Sequence, residues 1–177
     1  MAIRTGHVQV AKTLIDAGAD LTIRNMYSQT PLHHAAFHGE TEILNAILAA
    51  GADANPLTEA HQVPCGPPEG IPASYDTPLH LAAQMMNAET VAALVDGGAK
   101  IDAENASGAT PLALALAEPQ WTDPDRAKKE TARRLETIRV LLAAGASKGQ
   151  FGKSGESIRA ALEKIDDPQI RRLRDRR

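Results

Sequence analysis

Two histidines in this 177-residue sequence have a spacing that metal sites use. His34 and His38 are four residues apart, which would place both imidazoles on one side of a helix. His34, however, falls at an inward-facing position of the predicted first helix, whereas His38 belongs to its exposed face. No carboxylate or cysteine completes a ligand set around them. The sequence therefore predicts no metal site.

Other reactive residue types also lack the neighbours that chemistry requires. The segment GQFGKS, residues 149–154, resembles the end of a phosphate-binding loop, but position 147 is serine and no strand precedes it. Asp166 and Asp167 precede a proline and are typical of a helix start. The single cysteine, Cys65, excludes an internal disulfide and fits a reducing cytoplasm. No nucleophile, base and orienting group come together, so we expect neither an enzyme nor a cofactor.

A repeated phrase is the strongest pattern in the chain. It is written TPLHHAA, then TPLHLAA, then TPLALAL, at residues 30–36, 77–83 and 110–116. A second phrase, Gly-Ala followed by a polar residue, occurs at 18–20, 51–53, 98–100 and 145–147. The intervals reduce to a period of 33 residues, interrupted by two 14-residue insertions near 55–75 and 117–131. A fixed period of this size predicts a stack of structural repeats.

Each phrase has a local physical meaning. The prolines fit the first turn of a helix, where the missing N–H would have no partner, and the preceding threonines can cap that helix. His33 and His80 lie in that first turn, where an imidazole can bond the nearby backbone. A second helix is predicted through Ile43 and Leu48, ending before Gly51 as its C-terminal glycine.

With these motifs, TPLHHAA followed by GADAN and TPLHLAA followed by GGAKID, the sequence resembles the ankyrin-repeat family. The resemblance implies an all-α fold, an ankyrin-repeat α-solenoid of helix pairs joined by β-turn fingers, with a concave protein-binding face. We expect one domain, 1–177. Its predicted parts are a partial first repeat (1–24), a second repeat (25–55), an extended finger insertion (56–75), a third repeat (76–104), a fourth repeat (105–147) containing the insertion 117–131, and a degenerate capping repeat (148–177).

The resemblance also implies which residues contact a protein partner, namely those on the finger before Thr-Pro and at the end of the first helix. The predicted set is Met26, Tyr27, Gln29, Phe37, His38, Ser74, Asp76, Gln84 and Met85. Four of these are large apolar side chains at positions that the fold would expose, a property of interaction sites. The alternative is that some of them pack under the long finger. Tyr75 and Met86 occupy positions where glycine is usual, which puts the local turns in doubt.

The insertions and the charge distribution leave further alternatives open. The finger insertion can be functional or mobile, and Trp121 in the second insertion can anchor a partner or pin its own loop. A helix of about 20 residues is predicted from Asp125, with Arg133 on a charged face that is either solvated or a docking surface. Residues 1–117 hold 4 basic and 12 acidic residues, whereas residues 118–177 hold 15 basic and 10 acidic.

We therefore predict a non-catalytic binding protein in the cytoplasm that acts as inhibitor, scaffold or protector of a protein partner. The alternative is a scaffolding fragment of a larger multidomain protein, since the chain begins partway through a repeat. That edge could also contact a second chain, so oligomeric state stays open. A third hypothesis, nucleic-acid or nucleotide binding through the basic C-terminal region, is disfavoured by the net charge of −3 and by the absence of interleaved aromatics. No segment is apolar enough to predict a membrane span.

Overall fold

The computed structural model describes residues 8–58, 75–117, 124–149 and 157–175. Nine α-helices lie within these ranges. They are α1 Val8–Asp16, α2 Pro31–His38, α3 Thr41–Ala49, α4 Pro78–Gln84, α5 Ala88–Asp96, α6 Pro111–Leu116, α7 Pro124–Ala143, α8 Ile158–Glu163 and α9 Pro168–Asp175. The all-α solenoid predicted from the sequence is confirmed.

The helices form two layers. The inner layer contains α2, α4, α6 and α8, each packed against the next, and the outer layer contains α1, α3, α5, α7 and α9 in the same order. Each inner helix from α2 onward also packs against the outer helix that follows it in the chain. The core therefore continues from one repeat to the next, which is the packing of a solenoid.

Prolines and small polar residues set the helix starts. Five helices begin with proline, and at three of them the preceding threonine has extended backbone, namely Thr30, Thr77 and Thr110. The Thr110 hydroxyl accepts a hydrogen bond from the N–H of Ala113 at 3.3 Å. At α8 the cap is Ser157, as its position in the repeat predicts. Asp167 begins α9 by accepting hydrogen bonds from the N–H groups of Gln169 and Ile170, both at 2.9 Å.

The last two helices differ in part from the prediction. Within the capping repeat the sequence predicts a helix over residues 154–165; the observed α8 ends at Glu163, and residues 154–156 lie outside the described ranges. The last turn closes with tighter bonds between residues three apart, from the Lys164 N–H to the Ala161 carbonyl and from the Ile165 N–H to the Leu162 carbonyl, both at 3.3 Å. The long helix α7, with 20 residues, agrees with the prediction.

The two turns that lack the usual glycine keep the left-handed backbone that glycine would adopt. Tyr75 and Met86 have φ of 52° and 57°, in the left-handed region that glycine occupies at Gly108 and Gly39. Ser28 takes the same conformation, with φ of 57°. The repeat geometry therefore overrides the preference of these side chains, at a cost in backbone strain.

Candidate protein-binding face

An asparagine builds the second finger. Asn25 pairs with Gln29 through its backbone N–H, and its Oδ1 accepts hydrogen bonds from the N–H groups of Tyr27 and Gln29, each at 2.9 Å. This arrangement leaves Met26 and Tyr27 at the tip, where they are 59% and 52% exposed. The two apolar side chains are thus held in water by a rigid turn, which is how a preformed contact surface is made.

The same device recurs in the fourth finger, where Asn105 accepts from the N–H groups of Ser107 and Ala109, both at 3.0 Å. The sequence reasoning missed both asparagines. The available signal was their common place, five residues before Thr30 and five before Thr110.

The third finger uses a different residue, Thr58. Its backbone N–H donates to the carbonyl of Asp76 at 3.0 Å, and its hydroxyl accepts from the Asp76 N–H at 2.8 Å. The Tyr75 N–H donates to the Thr58 carbonyl at 3.1 Å. Residues 59–74 are therefore an insertion in the third finger between Thr58 and Tyr75, which are hydrogen-bonded to each other.

The ends of the first helices present the other predicted contacts. Phe37 and His38 are exposed at the C-terminus of α2, and Gln84 and Met85 occupy the matching positions, 47 residues later, at the end of α4. The Phe37 and His38 rings meet edge to face, with centroids 5.1 Å apart. Because α2 packs against α4, these four side chains belong to adjacent steps of one layer.

The placement of His34 corrects the sequence prediction. Its ring stacks on that of His38, with centroids 6.1 Å apart and planes within 8°, so both lie on the same side of α2. The Asn25 Nδ2 group donates to His34 Nε2 at 2.8 Å, which ties the helix to the finger. The two rings share one side of α2 because a spacing of four residues brings side chains together on a helix.

Two predicted polar contacts already have partners within the chain. The Gln29 side chain accepts from Asn25 Nδ2 at 3.2 Å, and Asp76 Oδ1 accepts from Asn105 Nδ2 at 2.9 Å. The Asp76 bond joins the third finger to the fourth. Both residues are half-buried. The Gln29 bond, by contrast, stays within the second finger.

The buried histidines of the TPLH phrase join one repeat to the next. In His33, Nδ1 accepts from the Thr30 N–H at 3.2 Å, and Nε2 donates to the carbonyl of Asp76 at 3.0 Å. His80 makes the same two bonds, to Thr77 and to the carbonyl of Ala109. Burial lowers the pKa of His33 to about 4, and burial also lowers the pKa of His80. Both rings are neutral structural links.

Arg133, on the charged face predicted for α7, is exposed and also contacts a neighbouring turn. Its Nη2 donates to the carbonyl of Met85 at 3.1 Å and to Asn87 Oδ1 at 2.8 Å. The long helix is thereby fixed to the turn between α4 and α5. Arg171 and Arg174 of the basic tail pair with Asp166 and Asp175, which reduces the positive charge offered to a polyanion.

Several predicted residues lie outside the described ranges, namely Ser74, Cys65 and Trp121. Among the residues that the structure does describe, no group of three or more histidine, cysteine or carboxylate side chains is placed to hold a metal ion. In those same ranges, no helix combines the length and apolar character of a membrane span.

Paired helices in two layers, with fingers between successive pairs, define a helical repeat protein. Two family models match the chain, one for ankyrin repeats in three copies over residues 1–58 and one for a single ankyrin repeat over residues 74–106. Together these matches cover just over half of the sequence. The chain belongs to the ankyrin-repeat family, whose domains are generally non-catalytic and mediate interactions between proteins.

Similar proteins come from several animals. The chain is 32% identical over 133 residues (74% of its length) to the transient receptor potential cation channel subfamily A member 1 homolog of Caenorhabditis elegans. It is 33% identical over 111 residues (63%) to human ankyrin repeat and KH domain-containing protein 1, and 27% identical over 155 residues (76%) to mouse ankyrin repeat and SOCS box protein 16. These matches span 10%, 4% and 34% of the respective relatives.

Proposed function

We propose that this protein binds a protein partner through the recognition face, the surface formed by Met26, Tyr27, Phe37, His38, Gln84 and Met85. The observation that carries the proposal is the exposure of four large apolar side chains on bonded fingers and helix ends. Met26 and Tyr27 are more than half exposed, and Phe37 and Met85 are 36% and 37% exposed. Burial of apolar surface on a rigid scaffold supplies binding energy with a small loss of entropy.

The bound partner would be inhibited, tethered or protected by coverage of its surface, without chemistry on this chain. We propose the cytoplasm as the compartment, on the basis of the single cysteine among 177 residues. We also propose that residues 1–177 act as one domain, with Ser74, Gln29 and Asp76 contributing at the margin of the recognition face.

The direct test is a pull-down from source lysate with the wild-type protein and a Tyr27→Ala/Phe37→Ala variant. Leu14→Ala is the matched control, because Leu14 is also a large apolar residue, 50% exposed, but lies on α1 in the outer layer. We expect a partner that is retained by the wild type and the control and lost by the double variant. Retention by all three, with circular dichroism showing each folded, would refute the assignment of the face.

A second candidate is that the chain scaffolds a larger protein, as the short span of its matches within longer relatives allows. In that case the bound partner would be another region of the same polypeptide. Binding through the basic C-terminal region is a third candidate. It predicts an affinity that falls steeply with salt, whereas binding at Tyr27 and Phe37 predicts a weak salt dependence.

A further inference from the structure

A row of side chains links the loops that follow each outer helix. Asn55 bridges to the next loop in two ways, because its Oδ1 accepts from the Lys100 N–H at 2.7 Å and its Nδ2 donates to the Gly98 carbonyl at 3.2 Å. Asp102 occupies the matching position one repeat later, and its Oδ1 accepts from the Ser147 N–H at 2.7 Å. Each loop is thus tied to its successor through one side chain.

Between the first of these loops and the second, this side-chain link is missing. Thr22 holds the position that Asn55 and Asp102 hold later, and its hydroxyl donates to Asp20 Oδ1 of its own loop at 2.6 Å. The Asp53 N–H and the Gly51 carbonyl correspond to the Lys100 N–H and the Gly98 carbonyl. Among the described residues, no side chain of the preceding loop bonds to either group.

A groove of about 600 Å³ lies at the place of the missing link. Its walls are the two loops, with Thr22 and Arg24 on one side and Gly51, Asp53 and Leu57 on the other. Arg24 crosses the groove, donating through Nη1 to the carbonyls of Ser28 and Leu57 at 2.8 Å and 2.6 Å. The bond from Arg24 to Leu57 holds the two loops together, and the groove stays open beside it.

We propose that this groove binds an extended segment of a partner protein that carries a side-chain carboxamide, as in asparagine. A carboxamide would accept from the Asp53 N–H and donate to the Gly51 carbonyl, as Asn55 does one repeat later. A carboxylate would satisfy only the first bond, because it has no N–H to donate to the Gly51 carbonyl. The apolar walls at Ala19 and Leu57 accommodate the stem of the side chain. None of the six residues of the recognition face lines the groove.

The test uses the whole chain labelled with ¹⁵N and three capped tripeptides, acetyl-Ala-Asn-Ala-amide and its Asp and Leu counterparts. We expect saturable shifts of the Asp53 and Gly51 amide signals with the Asn peptide, and an affinity at least about five times weaker for the other two. Absence of saturable shifts with the Asn peptide would overturn the proposal. Equal affinity for the Leu peptide would overturn the assignment of the carboxamide.

A substitution within the chain gives an independent check. Thr22→Asn should supply the missing link from the first loop and so raise the midpoint of thermal unfolding by a few degrees. It should also lower the affinity for the Asn peptide at least about ten-fold. Thr22→Val, which is too short to cross the groove, should leave peptide binding intact. Unchanged peptide binding in Thr22→Asn would refute the site. The Tyr27→Ala/Phe37→Ala variant should bind the peptide with unchanged affinity. The proposal for the groove and the proposal for the recognition face can therefore be refuted independently.

Discussion

His33 is a single residue that contributes to the fold through its protonation state. Its neutral ring accepts a bond inside its own helix start and donates one to the next finger. A protonated ring would lose the first of these bonds, because Nδ1 would then carry a hydrogen. Burial adds the cost of desolvating a charge, which is why the pKa of His33 falls to about 4.

The first prediction is that stability decreases in mild acid. Below about pH 6.5 the unfolded chain takes up a proton on His33, while the folded chain does not until about pH 4. The free energy of unfolding should therefore fall as pH is lowered through this window, by on the order of 3 kcal/mol for this residue. The lowered pKa of His80 adds to the loss in the same direction.

Urea unfolding at intervals from pH 7.5 to pH 4 measures this effect. A His33→Gln variant should be less stable at neutral pH and show a shallower decline, because one proton-linked group is gone. A decline in the variant as steep as in the wild type would contradict the assignment. NMR titration of the imidazole signals gives a direct check, since the His33 ring should remain neutral at pH 5.

At the scale of the element, the connection between α4 and α5 carries a strained residue. Met86 has φ of 57°, whereas the matching residue between α2 and α3 is Gly39, with φ of 71°. A side chain in the left-handed region costs about 1–2 kcal/mol relative to glycine. The turn survives because the packing of α4 and α5 on their neighbours fixes where both helices must end.

The second prediction is that Met86→Gly stabilises the protein by about 0.5–1 kcal/mol, the relief of strain less the apolar contact of a half-buried side chain. The opposite substitution, Gly39→Ala, should be destabilising, because a Cβ there would lie 2.9 Å from the Asn87 side chain. Both changes can be measured by chemical denaturation. A loss of stability in Met86→Gly would mean that the thioether contributes more through packing than the turn costs.

The sequence predicts the helices well and the fingers less well, for a physical reason. Helix starts follow from local chemistry, the Thr-Pro pairs and Ser157, and local chemistry is readable from one sequence. Thr58 and Arg133 act through partners that only the fold brings together, 18 and 48 residues away in sequence. Asn25 acts locally, on residues two and four positions ahead, and its signal was the position that it shares with Asn105. The pairing of His34 with His38 was missed because the two positions were assigned to different faces of the helix.

The exposed members of the candidate site followed from the repeat register, which fixes where each position points. The register could not show that Gln29 and Asp76 are bonded to neighbouring asparagines. Nor could it reveal the groove at Thr22, since a missing link becomes visible only when the equivalent links at Asn55 and Asp102 have been seen.

At the scale of the whole molecule, the stack depends most on its middle. The inner helix α4 packs against α2 and α6 in its own layer and against α5 in the outer layer. Leu79, at the start of α4, is fully buried among them. In a repeat array each unit is stabilised by its neighbours, so a defect at the centre weakens two interfaces, whereas one near an end weakens fewer.

The third prediction compares two leucine truncations. Leu79→Ala should cost about 3 kcal/mol and lower amide exchange protection in both α2 and α6. Leu162→Ala, at a leucine equally buried in α8, should lower protection mainly in α8 and α9, which lie at the end of the described stack. Hydrogen exchange followed by mass spectrometry resolves the two patterns. Identical loss across all helices in both variants would show a single cooperative unit instead.

The bonded base of the third finger has a consequence for how this protein can change over generations. Because Thr58 and Tyr75 are joined to each other and to the repeat, the stretch between them can gain, lose or exchange residues while the repeats keep their spacing. Closing a longer loop adds little cost, about 0.6 kcal/mol for each doubling of its length. Selection can therefore rewrite this stretch at little risk to the fold. The same position is suited to grafting an epitope or a fluorescent reporter.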